Sequence, residues 1–396
     1  MRVVYVIDGI GRAGAEQSLL ALAAPLRDRG VDLHIAYAFE RAGQHDRFLA
    51  AGATLTSLDG RGGRTARVAR ARRLIRDVRP DLVHTTLFES DLIGRAAGAL
   101  TRTPVVSSLV NAMYGPEQLA NPELRRSRVR LAQTLDTASA RVVRRFHAIS
   151  HNVADTMAPR LHIRPDRIDV IYRGRDPGTI GTREHTRRRR VRAELGLRDD
   201  EAVVLGVARH EYQKGLDVLC RAYLQVRARQ PSARLLIAGR HGSSTSELEA
   251  VLAGGGVDPA TVLLGRRDDV PDLYCAADVF AFPTRWEGLG STLIEAMALE
   301  APIVVSDLPV TRELIGDTNA CYAPVDDATA FAGAILAVLA DPEGARVRTK
   351  ASYARFLACF TSERVADQTL AFYERALRRT GVTRRRAGDE RPGADR

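Results

Sequence analysis

Short, nearly continuous apolar runs alternate along the chain with longer stretches in which apolar residues return at helical spacing. RVVYVID at the start gives way to a helical pattern over about 14–29, followed by DLHIAYAF, DLVHTT and PVVSSLV with helical stretches between them. Apolar runs without polar alternation read as strands buried on both faces, and strand–helix alternation predicts a parallel sheet covered by helices. A second series starts at EAVVLGVAR and continues through ARLLIAG, TVLLG, DVFAFP and PIVVSD. Two series predict an α/β protein of two doubly wound domains, which suits 396 residues, too many for one comfortable core. Between them lies DPGTIGTREHTRRRRVRAELGLRDD, polar and rich in arginine. The expected division is a first domain over 1–175, a linker over 176–200 and a second domain over 201–360. The pattern stops near 380, so residues 381–396 are expected to be a disordered tail.

Composition narrows the partners only a little. The formal charge of +11 rests almost wholly on arginine, since Lys214 and Lys350 are the only lysines. A basic excess suits an anionic partner, whether nucleotide, phospholipid surface or nucleic acid. The run Arg187, Arg188, Arg189, Arg190 has no aromatic or motif context of a nucleic-acid binder and reads as a solvated linker or helix start, so no nucleic acid is expected. The stretch PELRRSRVRLAQTLDTASARVVRRFHAIS is basic and helical; it reads either as a contact for anionic lipid or as an ordinary surface helix. Cys220, Cys275, Cys321 and Cys359 form no C-x-x-C pair, which argues against a zinc site and fits a reducing cytoplasm. No apolar run reaches the roughly 20 residues needed to cross a bilayer, and MRVVYVIDGIGRAGAE reads as a strand and glycine turn, unlike a secretory signal.

Three stretches carry candidate chemistry. GIGRAGAE follows the first strand and opens a helix, so backbone N–H groups and the helix end can approach an anion there. Gly9, Gly11 and Gly14 match a dinucleotide fingerprint, but the acid it expects comes late, at Glu40, and a tight turn without a ligand explains the glycines equally. In VARHEYQKGLDVLCRAY, Arg209 and Lys214 lie on a loop between strand and helix, a forked and a compact cation suited to a diphosphate. In RWEGLGSTLIEAMA, Glu287 and Glu295 stand eight positions apart across the start of a helix expected near Ser291, capped by Ser291 or Thr292. N–H groups around 291–293 would face the same diphosphate as Lys214. Two acids beside an anion site make sense when the ligand also presents hydroxyls, as a sugar nucleotide does: Glu287 to the sugar, Glu295 to the ribose. An acidic surface helix is the alternative.

Taken together, ARHEYQKG, LLGRRDDVPDLYCAADVFAFPTRWEGLGSTLIEAMA and GRAGAE resemble the retaining GT-B glycosyltransferases of family 4, over about residues 1–375 and most strongly over 203–315. The resemblance implies two Rossmann-like domains facing a cleft, with the nucleotide-sugar donor held mainly by the second. It also implies a final helix within 361–380 that crosses back to the first. By the same resemblance Arg209 and Lys214 bind the diphosphate and, with Glu287, form the catalytic set. Glu295, Gly14, Gly290, Ser291 and Thr292 hold the donor, the loop 265–267 with Arg266 borders the base, and Ser150 lies near the cleft. Family members usually carry a histidine after the strand written here as PVVSSLV, where this chain has Val110 and Asn111. His84 matches another recurrent histidine, with Thr86 as its companion. His84 and Asn111 are therefore expected on the acceptor side, although a strand-end histidine satisfied within the fold explains His84 too.

The reaction this implies is transfer of a hexosyl group, with retention, from a nucleoside diphosphate sugar to an acceptor hydroxyl on a glycan, lipid-linked sugar or small molecule. No clustered Asp-X-Asp is present, so neither metal nor other cofactor is expected. A nucleotide-sugar epimerase and a non-catalytic sugar-nucleotide-binding subunit are the rival readings. The expected place is the cytoplasm, with peripheral contact at the inner face of the membrane.

Overall fold

The computed structural model describes residues 1–40, 43–116 and 125–378. Among these, the strands form two parallel sheets. The first contains β1 (Arg2–Ile7), β2 (Asp32–Tyr37), β3 (Thr54–Ser57), β4 (Leu82–Thr86), β5 (Val105–Leu109), β6 (Arg145–Ala148) and β7 (Ile168–Val170), in the order β3-β2-β1-β4-β5-β6-β7. The second contains β8 (Val203–Val207), β9 (Arg234–Ala238), β10 (Leu263–Gly265), β11 (Val279–Phe282), β12 (Ile303–Ser306) and β13 (Cys321–Ala323), in the order β10-β9-β8-β11-β12-β13. Central strands such as β8 and β11 are buried along their whole length. That burial on both faces is why the runs VVLGV and VFAF lack polar alternation. In each sheet the strand order reverses once, between β1 and β4 and between β8 and β11. Open α/β sheets bind ligands outside the carboxyl ends of strands at such a point.

The chain passes between the sheets twice, and the two passages lie side by side. Arg175 donates its backbone N–H to Phe360 O at 2.8 Å and accepts from Ser362 N at 2.9 Å. The helix Ser362–Leu377 then packs on the helix Gly14–Asp28, buries Phe372 and Tyr373 in the first domain's core, and takes Arg29 onto Glu363 at 2.8 Å and Asp367 at 2.6 Å.

The arginine run read as a solvated linker or helix start lies in the first turns of a helix, but it is not simply solvated. Residues His185–Glu194 form a helix docked on Val270–Ala276. Arg187 pairs with Asp272 at 2.6 Å, Arg188 with Asp278 at 2.6 Å and Arg190 with Asp272 at 2.9 Å, while the buried Arg192 donates to the carbonyls of Ala276 and Glu201. The charge run answers carboxylates of the second domain. The expected tail at 381–396 lies outside the described residues, as do residues 122–124 of the basic stretch. Among the described residues no single helix is long and apolar enough to cross a membrane.

Candidate active site

The turn after β8 and the loop after β11 are built as one unit. Gly215 follows Lys214 with φ +60°, and a Cβ there would lie 2.0 Å from Pro283 O, so the two segments touch only because the residue is glycine. Arg285 locks them together: it donates to Tyr212 O at 2.6 Å, forks onto Asp217 at 3.0 and 2.9 Å, and stacks over the Tyr212 ring at 4.0 Å. Gln213 adds a bond to Trp286 O at 2.7 Å, and Thr284 donates to Gln213 O at 3.0 Å. On this platform Lys214 and Glu287 meet as an ion pair, both largely buried, with Thr284 Oγ1 3.3 Å from the same carboxylate oxygen. A desolvated pair is costly unless its geometry is fixed, and the platform fixes it. Arg209 stands at the rim of the same loop, half-exposed, with a loose 3.6 Å contact to Glu211.

The helix Ser291–Ala298 begins next to this pair. Its N-cap is Gly290, at φ +93° and without a side-chain cap bond. This corrects the expectation that Ser291 or Thr292 caps it: a glycine in a left-handed conformation turns the chain, and both hydroxyl residues fall inside the first turn. Thr292 contributes its carbonyl to Tyr274 at 2.9 Å. Opposite lies the start of the helix Gly14–Asp28, also without a side-chain cap. A Cβ on Gly14 would be 3.8 Å from Ser291 Oγ and 3.4 Å from Arg173 Nη1. Two helix N-termini, one from each domain, therefore face a single spot, and their unpaired first-turn N–H groups favour an anion there. Glu295, one turn into its helix, accepts from Arg175 Nε at 2.8 Å.

The first domain closes the other side. Gly288 packs against Val110 and Asn111 so tightly that a Cβ would sit 2.7 Å from Val110 O and 3.2 Å from Asn111 Cα, which makes glycine obligatory at this contact. Ser150 donates to Gly288 O at 2.7 Å while accepting from Val153 N as the cap of His151–Arg160, and Glu313 accepts from the N–H groups of His151 and Asn152 at 2.6 and 3.0 Å. Across the mouth, Arg12 reaches Asp268 at 2.5 Å, and Arg266, largely exposed, lies 3.5 Å from that carboxylate. The loop 265–267 thus meets the glycine loop at the rim.

His84, expected on the acceptor side or else as a histidine satisfied within the fold, has the features of the second. It is buried, its Nδ1 is 2.8 Å from Tyr373 Oη and its Nε2 2.7 Å from Ser108 Oγ. Burial, with His147 beside it, holds its pKa well below the ordinary histidine value, so the ring stays neutral. Thr86 pairs with Tyr5 Oη at 2.6 Å in the same buried chain of polar groups. Glu40 is engaged at the surface with His45 at 3.2 Å.

Residues 12–179 match the family described as Glycosyltransferase Family 4, and residues 201–341 match the one described as Glycosyl transferases group 1. The chain belongs to glycosyltransferase family 4. This family 4 chain is similar to the lipopolysaccharide core biosynthesis mannosyltransferase LpsB of Rhizobium meliloti, at 30% identity over 191 residues, 46% of this chain and 54% of LpsB. It is also similar to the D-inositol 3-phosphate glycosyltransferase of Mycobacterium bovis, at 30% identity over 330 residues, 78% of this chain and 65% of the relative. The chain spans about half to two thirds of the length of these curated relatives. The family 4 fold is GT-B. The structure of Anabaena HepE in complex with UDP superposes with a TM-score of 0.80 at 20% identity, covering 95% of this chain and 100% of HepE. WaaG, a glycosyltransferase involved in lipopolysaccharide biosynthesis, gives 0.71 at 16% identity, over 92% and 99% of the two chains.

Sequence reasoning passed over the residues that support this family 4 site. Arg285 and Asp217 hold the lysine turn, and Arg173 and Arg175 bring two cations from the segment after β7. The signal for the last two is YRGRDP, a pair of arginines around a glycine immediately beyond a strand's carboxyl end. Among the described residues no group of three or more His, Cys, Asp or Glu side chains is arranged to hold a metal ion.

Proposed function

We propose that the protein is a retaining glycosyltransferase that moves a hexosyl group from a nucleoside diphosphate sugar to an acceptor hydroxyl of a glycan, a lipid-linked sugar or a small molecule. The observation that carries this reading is the fixed Lys214–Glu287 pair at the switch point of the second sheet, beside two helix starts that favour an anion. HepE, a neighbour in fold, has been solved with UDP and with UDP-glucose, which supports a nucleotide-sugar donor.

In this reading the barrier is departure of a diphosphate while positive charge develops at the sugar's anomeric carbon. Lys214, Arg209 and the N–H groups at Gly14 and Ser291 stabilise the charge that grows on the leaving oxygen. The chain's own cations carry that stabilisation, and no metal ion enters the proposed step. Glu287 keeps lone pairs for hydroxyls of the transferred sugar, and Glu295, oriented by Arg175, accepts from the ribose. The leaving phosphate takes the acceptor's proton on the face it vacates, which retains the anomeric configuration. Contacts such as Ser150 with Gly288 and Arg12 with Asp268 draw the halves together and exclude water, which limits hydrolysis. We place the reaction in the cytoplasm, with the helix Arg126–Ala140 as peripheral membrane contact, since Leu131 and Leu135 are exposed on it among arginines.

Asn111, seated against Gly288 where the resemblance leads to a histidine, favours a second reading as a non-catalytic sugar-nucleotide-binding subunit. A thermal-shift screen of UDP-, GDP- and ADP-sugars identifies the donor, and donor consumption with and without acceptors then separates the readings. A transferase releases nucleoside diphosphate with acceptor present, unaffected by a chelator, and yields a product of the donor's anomeric configuration by NMR. An epimerase changes the sugar without release, and a binding subunit does neither.

A further inference from the structure

One cation in the cleft has no carboxylate in direct contact among the described residues. The Arg173 side chain makes no hydrogen bond or ion pair among the described residues, although Arg175 and Arg285 are both paired. Burial draws its pKa down to about 10; Tyr5 pulls it up by more than Arg175 pushes it down, and Glu16 pulls it up least. Keeping a guanidinium half-buried without a carboxylate is unfavourable in the empty fold. The backbone nevertheless holds it there firmly. Upstream, Ile171 O is 2.7 Å from His147 Nε2, and the Tyr172 ring packs on Phe360 at 5.1 Å. Downstream, Arg175 is paired with Phe360 and Ser362. The side chain fixed between these anchors ends 3.4 Å from where a Cβ of Gly14 would be, and Ser291 Oγ is 3.8 Å from that same position.

We infer that Arg173 is a third cationic contact for the phosphates of the donor, delivered by the segment that joins the two sheets to the spot where the helices Gly14–Asp28 and Ser291–Ala298 both begin. The inference rests on the nucleotide-sugar reading of this cleft and adds to it a residue from neither sheet's motif. A phosphate oxygen there completes the guanidinium's hydrogen bonds and supplies a counter-charge in direct contact. Lys214 and Arg209 approach from the β8 side and Arg173 from the β7 side, so the diphosphate is gripped from two directions.

The test is titration of the purified full chain with UDP, GDP and ADP, and with the matching nucleosides, in the wild type, Arg173→Gln, Arg173→Lys and, as a control on the site itself, Lys214→Ala. The expected result is a loss of about 10- to 100-fold in diphosphate affinity for Arg173→Gln, little change for the nucleoside, and partial recovery in Arg173→Lys. A merely structural role would weaken nucleoside and nucleoside diphosphate alike, and that outcome overturns the inference. If Lys214→Ala loses diphosphate affinity while Arg173→Gln keeps it, the inference fails and the donor site stands. If the wild type prefers no diphosphate over its nucleoside, the reading of the cleft fails and takes the inference with it.

Discussion

At the carboxyl end of the second sheet, Lys214 and Glu287 stand on glycine-bounded loops and meet as an ion pair beside the two helix starts. At the carboxyl end of the first sheet, the polar groups turn inward. His84, Ser108 and His147 form a buried chain that ends on Tyr373 and Ile171 O. Beneath it Arg95, 1% exposed, joins Asp136 at 2.6 Å and Ser107 at 2.9 Å, with Tyr114 on the other oxygen of Asp136 at 2.9 Å. In the proposed reading one domain fixes its charged groups for a ligand, and the other uses its polar groups to hold strands and a crossing helix together. A titratable residue at a strand end therefore says little by itself. What separates a site from a scaffold is whether the fold already satisfies the group.

The largest expected effect is on the ligand-facing side. Lys214→Ala should lower turnover by about 10²-fold or more, by analogy with removal of one charge-stabilising donor. Steady-state kinetics check it, and near-normal turnover would break the contrast. His84→Ala should do the reverse. It strands Tyr373 Oη and Ser108 Oγ and costs about 1–3 kcal/mol of stability in urea unfolding, while kcat and KM stay near wild type; a loss of activity in a folded variant would return His84 to the reaction. Glu295→Ala should weaken donor binding about tenfold and slow the bound complex less. Unchanged affinity by calorimetry would remove the ribose contact.

Acidity probes the first domain's network. Burial holds His84 and His147 neutral, His147 down to about 4. Both protonate near 6.5 when unfolded, so the unfolded chain binds more protons below that pH and stability falls from about pH 6.5 toward 4. Asp91 opposes them: burial pushes its carboxyl up to about 7, so the folded state holds the extra proton over much of that range. Two histidines against one aspartate leave a net loss on acidification. Melting temperatures between pH 7 and 4.5 should fall, and a rise would contradict the burial of the two rings as neutral groups. The smallest effect belongs to Arg12→Gln. Its pair with Asp268 is exposed and should contribute under about 1 kcal/mol to stability; a larger loss in thermal unfolding would make that rim contact part of the framework.

The same contrast explains what the sequence made legible. Buried strand runs such as VVLGV and the glycine turns around Lys214 and Glu287 follow from local rules, so the α/β architecture and the loop positions of these two residues were readable before the fold was seen, whereas their ion pair was not. The placement of His84 was not, because its partner Tyr373 lies 289 residues away on the returning helix. Arg173 and Arg175 escaped notice for a similar reason: their surroundings come from Gly14, Ser291 and Glu295, three distant segments. The arginines of His185–Glu194 read as solvated because Asp272 and Asp278, which pair with them, belong to another part of the chain. Long-range satisfaction of charge leaves no trace in the local pattern.

The most direct measurement is calorimetric comparison of a nucleoside diphosphate with its nucleoside, in the wild type and in the double variant Arg209→Ala, Lys214→Ala. The account predicts that the diphosphate binds the wild type at least about 100-fold more tightly than the nucleoside, through charge-assisted contacts, and that the double variant loses most of this preference. A preference that survives both substitutions, or none in the wild type, would contradict it.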